Sequence, residues 1–155
     1  MLTIQNLSKT YPNGVQALRQ VSLEIPTGMF GLLGPNGAGK SSLMRTLATL
    51  QEADSGSVRF GEIDVLKDKD AVRRVLGYLP QDFGVYPRVS AVDMLDHFAV
   101  LKGLTRRAER REVVDGLLRQ VNLWEARKQA LSTYSGGMRQ RFGIAQALLG
   151  NPRLV

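Results

Sequence analysis

The sequence contains no cysteine, a single tryptophan and no long hydrophobic run. Without cysteine, the chain has neither a disulfide framework nor a thiolate metal site, which favours a reducing compartment. The most apolar stretch, Val92 to Leu101, is interrupted by Asp96 and His97 and falls short of the roughly 20 apolar residues that a membrane-spanning helix needs. The first residues lack the basic segment and apolar run of a signal peptide. These absences predict a soluble chain that reaches a membrane only through a partner.

The composition of the 155 residues, 43% hydrophobic and 23% charged, is typical of one globular domain that buries a core. Lysine and arginine outnumber aspartate and glutamate by 21 to 14, a net charge of +7, which raises the question of a nucleic-acid or anionic membrane partner. The densest basic cluster, Arg106 to Arg111, is interleaved with Glu109 and Glu112 at helical spacing. This interleaving favours a solvated helix face, and we expect no nucleic-acid partner.

Strand patterns dominate the first third of the chain. Alternating apolar residues, Leu2 with Ile4 and Val21 with Leu23 and Ile25, predict half-buried strands bounded by turns. The continuous apolar run from Met29 to Leu33 instead predicts a strand that is buried on both faces of a parallel sheet. Three further predicted elements are a helix from Lys40 to Leu50, a strand that resumes at Val58 and Phe60, and a strand from Val75 to Leu79 that ends at Pro80-Gln81.

Helical spacing takes over from Ser90 to about Tyr134. Ser90 is placed as an N-cap with Asp93 three residues later, and an apolar stripe runs from Val113 to Val121. The stretch therefore reads as a helical subdomain inserted into an α/β core.

The chemistry concentrates in one glycine-rich segment, which fits the pattern G-x-x-x-x-G-K-[ST]. Glycines allow successive backbone N–H groups to point at phosphate oxygens, and a following helix adds its dipole. The lysine neutralises the β and γ phosphates, and the final hydroxyl is placed to ligate Mg²⁺. The predicted strand before the segment and the helix after it disfavour a plain glycine-rich turn. The residues are Gly34, Pro35, Asn36, Gly37, Ala38, Gly39, Lys40 and Ser41.

A second candidate anion site consists of Ser135, Gly136 and Gly137. Ser135 is a natural N-cap for a helix whose apolar positions include Met138 and Phe142, and the glycines leave several N–H groups bare. Taken alone, the same three residues are equally compatible with an ordinary loop.

Taken in order, the segment GPNGAGKSS, the strand-ending LPQ and the segment SGGMRQR resemble the nucleotide-binding domain of ATP-binding cassette (ABC) proteins. The resemblance covers essentially the whole chain. It implies a P-loop NTPase fold of the α/β class, with an N-terminal antiparallel β region and an inserted helical subdomain, and it implies ATP and Mg²⁺ as ligands. It also implies catalytic roles for Lys40 and Gln81, a place for Ser42 in the nucleotide site, and Mg²⁺ contacts from Ser41 and Gln81.

The opening Leu7 to Tyr11 extends the resemblance, because an aromatic residue of the family stacks on adenine there. This assigns Tyr11 to the base, the alternative being a turn tyrosine that packs on the sheet. For Gln81, the alternative is an ordinary polar residue at a strand end.

The resemblance implies three segments: a core at 1–85, a helical subdomain at 86–134, and the signature with its helix at 135–155. Family domains pair head to tail, so that the P-loop (Gly34 to Ser41) of one subunit and the segment Ser135 to Gly137 of the other close on one ATP. Residues Asp82 to Val89 lead into the subdomain, in the region that receives the permease subunits of transporters. The implied protein is an ATPase that binds a second nucleotide-binding domain and membrane permease subunits at the cytoplasmic face of the membrane.

The family's signature segment, here Tyr134 to Arg141, departs from the common pattern at two positions. Tyr134 stands where leucine is common, and Met138 stands where glutamine is common. Met138 with Arg139 to Arg141 resembles the multidrug and polysaccharide exporter branch (ABC-2 type). The acidic pair of the family ends the strand after the signature helix, and Arg153 to Val155 would begin that strand. The chain is therefore interpreted as an N-terminal fragment that binds nucleotide weakly and hydrolyses it negligibly.

Three functions stay open on the sequence. The first is the ATP-binding subunit of an exporter, whose permease selects the substrate. The second is a soluble ABC ATPase that acts on ribosomes or DNA, and the third is a short protein that binds nucleotide without catalysis.

Overall fold

A computed structural model describes residues 1–81, 84 and 88–155. The chain forms two compact units, Met1–Arg73 and Arg74–Val155. This division lies 12 residues before the boundary that the sequence predicts after residue 85, between the core and the helical subdomain. The functional roles of the three predicted segments stay predictions.

The first unit is built on a four-stranded sheet in the order β2-β1-β3-β4, with every neighbouring pair antiparallel. Its strands are β1 (Leu2–Thr10), β2 (Gln16–Ile25), β3 (Ser55–Phe60) and β4 (Ile63–Asp64). The alternating residues Leu2, Ile4 and Leu7 of β1 are buried, and Val58 of β3 is buried with them. The predicted N-terminal antiparallel β region is thereby confirmed.

Helices α1 (Lys40–Leu47) and α2 (Lys69–Val75) complete the elements of this unit, α2 running across the boundary between the units. The predicted helix from Lys40 to Leu50 is three residues too long. Thr49 adopts a left-handed conformation with φ of 60°, and the N–H of Leu50 donates to the carbonyl oxygen of Arg45 at 2.9 Å. A left-handed residue followed by such a bond is how many helices end, and here threonine occupies the position that usually holds glycine.

Two predicted strands are wrong. Met29 to Leu33 forms no strand, and Met29 and Leu33 are almost fully exposed. A strand buried on both faces needs hydrogen-bonded neighbours, and no strand of the described residues pairs with this segment. The segment Val75 to Leu79 is not a strand either, because α2 continues through Val75 and only Leu76 makes a single bridge.

The second unit is helical, as the sequence predicts. It contains α3 (Ala91–Leu101), α4 (Arg107–Gln120), a 3-10 turn (Leu131–Thr133) and α5 (Gly136–Leu148). Ser90 caps α3, since the Asp93 N–H donates to its Oγ at 3.2 Å. In the described ranges, none of the helices has the length and apolarity to span a membrane. The helices enclose one apolar core that includes Leu95, Val114, Leu118, Leu131, Phe142 and Leu149.

The residues Arg153 and Leu154 make the contacts that begin a parallel pairing. Leu154 bridges Leu76, the Arg153 N–H donates to the carbonyl oxygen of Val75 at 2.8 Å, and the Gly77 N–H donates to that of Leu154 at 2.7 Å. Residues Arg153 to Val155 form no strand, and the expected pairing at this position is limited among the described residues to this isolated bridge.

Candidate functional site

The loop from Gly34 to Gly39 is shaped by backbone conformations that favour glycine. Gly37 and Gly39 have φ of 84° and 86°, in the left-handed region. A Cβ on Gly39 would also lie 2.3 Å from the carbonyl oxygen of Ala17 in β2. Glycine at position 39 therefore allows the loop to lie directly against the sheet before α1 begins.

Lys40 extends its side chain back across this loop. Its Nζ donates to the carbonyl oxygen of Gly34 at 2.6 Å and to that of Pro35 at 2.7 Å. The loop thus holds an ammonium group that is bonded to neutral carbonyl oxygens and, among the residues that the structure describes, to no carboxylate. An ionised oxygen, such as that of a phosphate, is a stronger hydrogen-bond acceptor for this ammonium group than a neutral carbonyl oxygen is.

The N-terminus of α1 faces the same loop. Ser41 is exposed and Ser42 is buried in the first helical turn, and that turn contains no acidic residue. Free N–H groups and the helix dipole favour an anion there, and no carboxylate of the turn opposes it. The structure therefore brings the sequence-predicted residues 34–42 together around the N-terminus of α1, and their role in phosphate binding stays a prediction.

Tyr11 joins this site from the end of β1. Its hydroxyl lies 2.9 Å from Ser42 Oγ and donates to Gln51 Oε1 at 3.0 Å. The contact with α1 connects the residue assigned to adenine with the P-loop helix. No motif of the sequence pointed to Gln51, which lies after the helix outside every pattern for nucleotide binding.

Two predicted parts of the site lie in the second unit. Gln81 is exposed at a bend that follows Leu79 and Pro80, which belong to no helix or strand. Of the linking segment Asp82 to Val89, Asp82, Phe83 and residues 85–87 lie outside the described residues. The roles of Gln81 and of this segment stay predictions.

Ser135 is the N-cap of α5, as predicted, and its Oγ accepts from the Met138 N–H at 3.2 Å. Gly136 and Gly137 are exposed, and a Cβ on either would meet no atom of the described residues within 4 Å. Neither has a positive φ. The packing and backbone of this unit thus give no reason for glycine, whereas a close approach of an external group to the backbone would.

Tyr134, which departs from the usual leucine, is buried in the helical core. Its hydroxyl donates to the carbonyl oxygen of Ala126 at 2.9 Å, and burial raises the pKa of this phenol above its usual value of 10.0. Tyrosine thus fills the apolar position and satisfies its one polar atom.

The described residues contain no group of three or more histidine, aspartate or glutamate side chains that could hold a metal ion. Magnesium commonly takes one or two protein oxygens and completes its shell with phosphate oxygens and water. Ser41, an exposed residue in the first turn of α1, fits this limited protein contribution through its hydroxyl.

Residues 18–155 match the family model described as ABC transporter. The probable multidrug ABC transporter ATP-binding protein YbhF of Escherichia coli is 36% identical over all of this chain and 27% of its own length. The doxorubicin resistance ATP-binding protein DrrA of Mycobacterium tuberculosis is 37% identical over 99% of this chain and 47% of its own length. The phosphonates import ATP-binding protein PhnC of Bdellovibrio bacteriovorus is 38% identical over all of this chain and 64% of its own length. The chain thus spans about a quarter to two thirds of these relatives.

Among solved structures, the dimeric post-hydrolysis state of the ATP-binding cassette MJ0796, bound to ADP and Pi, superposes with a TM-score of 0.85 at 30% identity. The match covers 98% of this chain and 71% of that chain. It confirms the predicted fold, and the drug-related names among the relatives agree with the predicted exporter-like branch.

Proposed function

Because this chain belongs to the ABC transporter family, we propose that it is part of the ATP-binding subunit of an ABC exporter. In this proposal, the whole protein is an ATPase that couples ATP binding and hydrolysis to export through a separate membrane permease. The observation that carries the proposal is the loop around Lys40, which combines an ammonium group, left-handed glycines and a helix N-terminus without a carboxylate.

The residues of this loop have distinct tasks in the proposed reaction. Backbone N–H groups of residues 36–41 bind the phosphate oxygens, and Lys40 exchanges its two carbonyl partners for the β and γ phosphates. A bound Mg²⁺ would neutralise charge that develops on the transferred phosphoryl group, and Ser41 would be one of its ligands from this chain. Gln81 is assigned to Mg²⁺ and the attacking water on the family resemblance alone.

The proposed partners are a second nucleotide-binding domain, paired head to tail, and the permease subunits. The bare glycines Gly136 and Gly137 support the first, because neither packing nor backbone conformation of their own unit explains them. A dimer is also the state of the similar cassette MJ0796. The proposed location is the cytoplasmic face of the membrane, reached through the permease.

Export is the proposed direction of transport. The relatives named for multidrug transport and doxorubicin resistance support it, as does the sequence at Met138 to Arg141. Transport assays with the permease partner distinguish it from import, the function in the name of the similar PhnC. Accumulation of substrate in energised cells, in place of its extrusion, would contradict export.

ATP binding by the 155-residue chain tests the site. Lys40→Ala is expected to weaken ATP binding at least about tenfold, because the ammonium makes charge-assisted bonds to phosphate that alanine cannot. Isothermal titration calorimetry measures the affinities, and Lys67→Ala, which removes an exposed lysine of the same unit, is the matched control. Equal affinities for the Lys40 variant and the unaltered chain would contradict the proposed site.

Hydrolysis is measured on the same samples. We expect turnover by this 155-residue chain to be negligible, because the acidic pair that the family uses is not among its residues. Turnover at the rate of an intact ABC ATPase would show that other residues supply that chemistry.

A further inference from the structure

Gln51, which belongs to none of the sequence motifs, lies at the centre of a hydrogen-bond network. Its Oε1 accepts from the Tyr11 hydroxyl at 3.0 Å. Its Nε2 donates to the main-chain oxygen of Ser42 at 2.9 Å and to Thr46 Oγ1 at 3.0 Å. One amide group therefore joins the end of β1 to the first two turns of the P-loop helix.

The directions of these bonds follow from the chemistry of the partners. The main-chain oxygen of Ser42 only accepts, so the amide turns its NH₂ group towards it and its oxygen towards Tyr11. Tyr11 has one hydroxyl proton and donates it to Gln51, so the Ser42 hydroxyl, 2.9 Å away, donates to Tyr11. The Thr46 hydroxyl donates to the main-chain oxygen of Ser42 at 2.9 Å and accepts from Gln51. A flipped amide would place two acceptors face to face.

The network is shielded from water over most of its length. Ser42 is 8% exposed and Thr46 1% exposed, and the side chains of Tyr11 and Gln51 are half-buried. Every side-chain nitrogen and oxygen that is fully buried within the described residues has a hydrogen-bond partner. Breaking one of these bonds would leave a shielded polar group without its partner, so the network favours a single position of the phenol relative to α1.

We infer that Gln51 is a positioning residue for the nucleotide base, which it serves by fixing Tyr11 relative to the P-loop helix. The inference rests on the proposed function, in which Tyr11 meets adenine and the loop binds the phosphates. With Tyr11 fixed in advance, ordering of the aromatic side chain no longer opposes binding. Gln51 acts through Tyr11, so its effect falls on the part of the affinity that depends on the base.

The test compares ATP with inorganic tripolyphosphate, which carries phosphates and no base. Gln51→Leu is expected to weaken ATP binding about fivefold and to leave tripolyphosphate binding unchanged, because the P-loop keeps all its groups. Gln5→Leu is the matched control, since Gln5 is exposed on β1 of the same unit. Calorimetric titration gives the affinities, and the melting temperature of each variant reports folding.

A second variant keeps the inference testable if Gln51→Leu folds poorly. Tyr11→Phe retains the ring and removes only the shared hydroxyl, so it is expected to weaken ATP binding to the same extent. The double variant is expected to bind ATP no more weakly than either single variant, because both changes break the same bond. Additive losses would overturn the inference.

The remaining outcomes separate the inference from the proposed function. Equal losses for ATP and tripolyphosphate in Gln51→Leu would mean that Gln51 only supports α1, and this overturns the positioning role. An unaltered chain that binds both ligands, with Gln51→Leu and Tyr11→Phe identical to it, overturns the inference alone. An unaltered chain that binds neither ligand contradicts the proposed nucleotide site itself.

Discussion

Among the glycines of the P-loop, Gly39 has the least space for a side chain. Gly37 and Gly39 share nearly the same left-handed φ, but a Cβ on Gly37 meets nothing within 4 Å whereas one on Gly39 lies 2.3 Å from the carbonyl oxygen of Ala17. Alanine at Gly37 would therefore report the energetic cost of the left-handed backbone alone. Alanine at Gly39 would report that cost together with the steric conflict between its Cβ and Ala17.

Alanine at the two positions is expected to have unequal effects on stability. Gly37→Ala should lower the free energy of unfolding by about 1–2 kcal/mol, the usual value for a left-handed residue with a Cβ. Gly39→Ala should lower it by about 3 kcal/mol or more, because the loop must also move away from β2. Urea denaturation of both variants measures the difference, and equal losses would show that Gly39 does not contact the sheet.

Asp54 connects the turn before β3 to β1 through its carboxylate. Its Oδ2 accepts from the Thr10 N–H at 2.6 Å and its Oδ1 accepts from Lys9 Nζ at 3.0 Å. The Thr10 hydrogen bond first, and Lys9 second, hold the pKa of Asp54 below the ordinary value of 3.8. Because the folded pKa is the lower one, the carboxylate stabilises the fold above the unfolded pKa, and this contribution is lost as the pH falls through the folded pKa.

Asp54→Asn is accordingly expected to lower the melting temperature at pH 7. The difference from the unaltered chain should shrink once the pH falls below about 4, where the aspartate of the unfolded chain is protonated. Melting curves between about pH 7 and pH 3 follow the change, with Glu62→Gln, which removes an exposed carboxylate, as the control. A difference that grows on acidification would contradict this reading of the carboxylate.

At the scale of whole elements, the sequence predicted most accurately where local chemistry decides. Ser90 and Ser135 cap α3 and α5 because their own hydroxyls accept from N–H groups three residues later. The end of α1 escaped prediction because it depends on Thr49 adopting a left-handed conformation that glycine usually takes. Gln51 was missed because its role arises only when β1 and α1 come together.

The predicted strand from Met29 to Leu33 is wrong because its formation depends on pairing partners and not on local chemistry. The apolar composition of this segment is typical of a strand that is buried inside a parallel sheet. Such a strand needs a hydrogen-bonded strand beside it, which the composition of the segment itself cannot provide. In the unit as described, Met29 and Leu33 expose their side chains and Phe30 is partly exposed. An apolar segment without hydrogen-bonded neighbours is prone to self-association.

Polar substitution of this segment is expected to reduce self-association of the 155-residue chain. Met29→Ser combined with Leu33→Ser should shift sedimentation profiles towards the monomer at high concentration, because it removes apolar area from the segment that lacks hydrogen-bonded neighbours. Leu101→Ser, which changes a residue 70% exposed in α3, is the control. A chain that is already monomeric and unfolds cooperatively at high concentration would contradict the expectation.

Across the whole molecule, the positive charge is unevenly divided. Residues 74–155 contain 13 lysine and arginine residues against 7 aspartate and glutamate, whereas residues 1–73 contain 8 against 7. Two of the arginines, Arg119 and Arg127, place their guanidinium carbons 3.6 and 3.8 Å from the ring centre of Trp124. Most of the excess positive charge therefore lies in the second, helical unit. The loop around Lys40 lies in the first unit, which is nearly neutral, so its proposed preference for anions depends on local geometry and not on net charge.

The carbonyl oxygen of Ala17 lies 2.3 Å from where a Cβ of Gly39 would be, so the position of the P-loop also depends on the register of β2. A slip of β2 against β1 by one residue would move that oxygen by about 3.3 Å and turn the opposite face of the strand towards the loop. A misregistered molecule would then lack the surface on which the P-loop lies. A nucleotide that binds only molecules with the correct register of β2 would increase the fraction of correctly paired molecules. Under the proposed function, ATP would therefore select the correctly folded form of the chain.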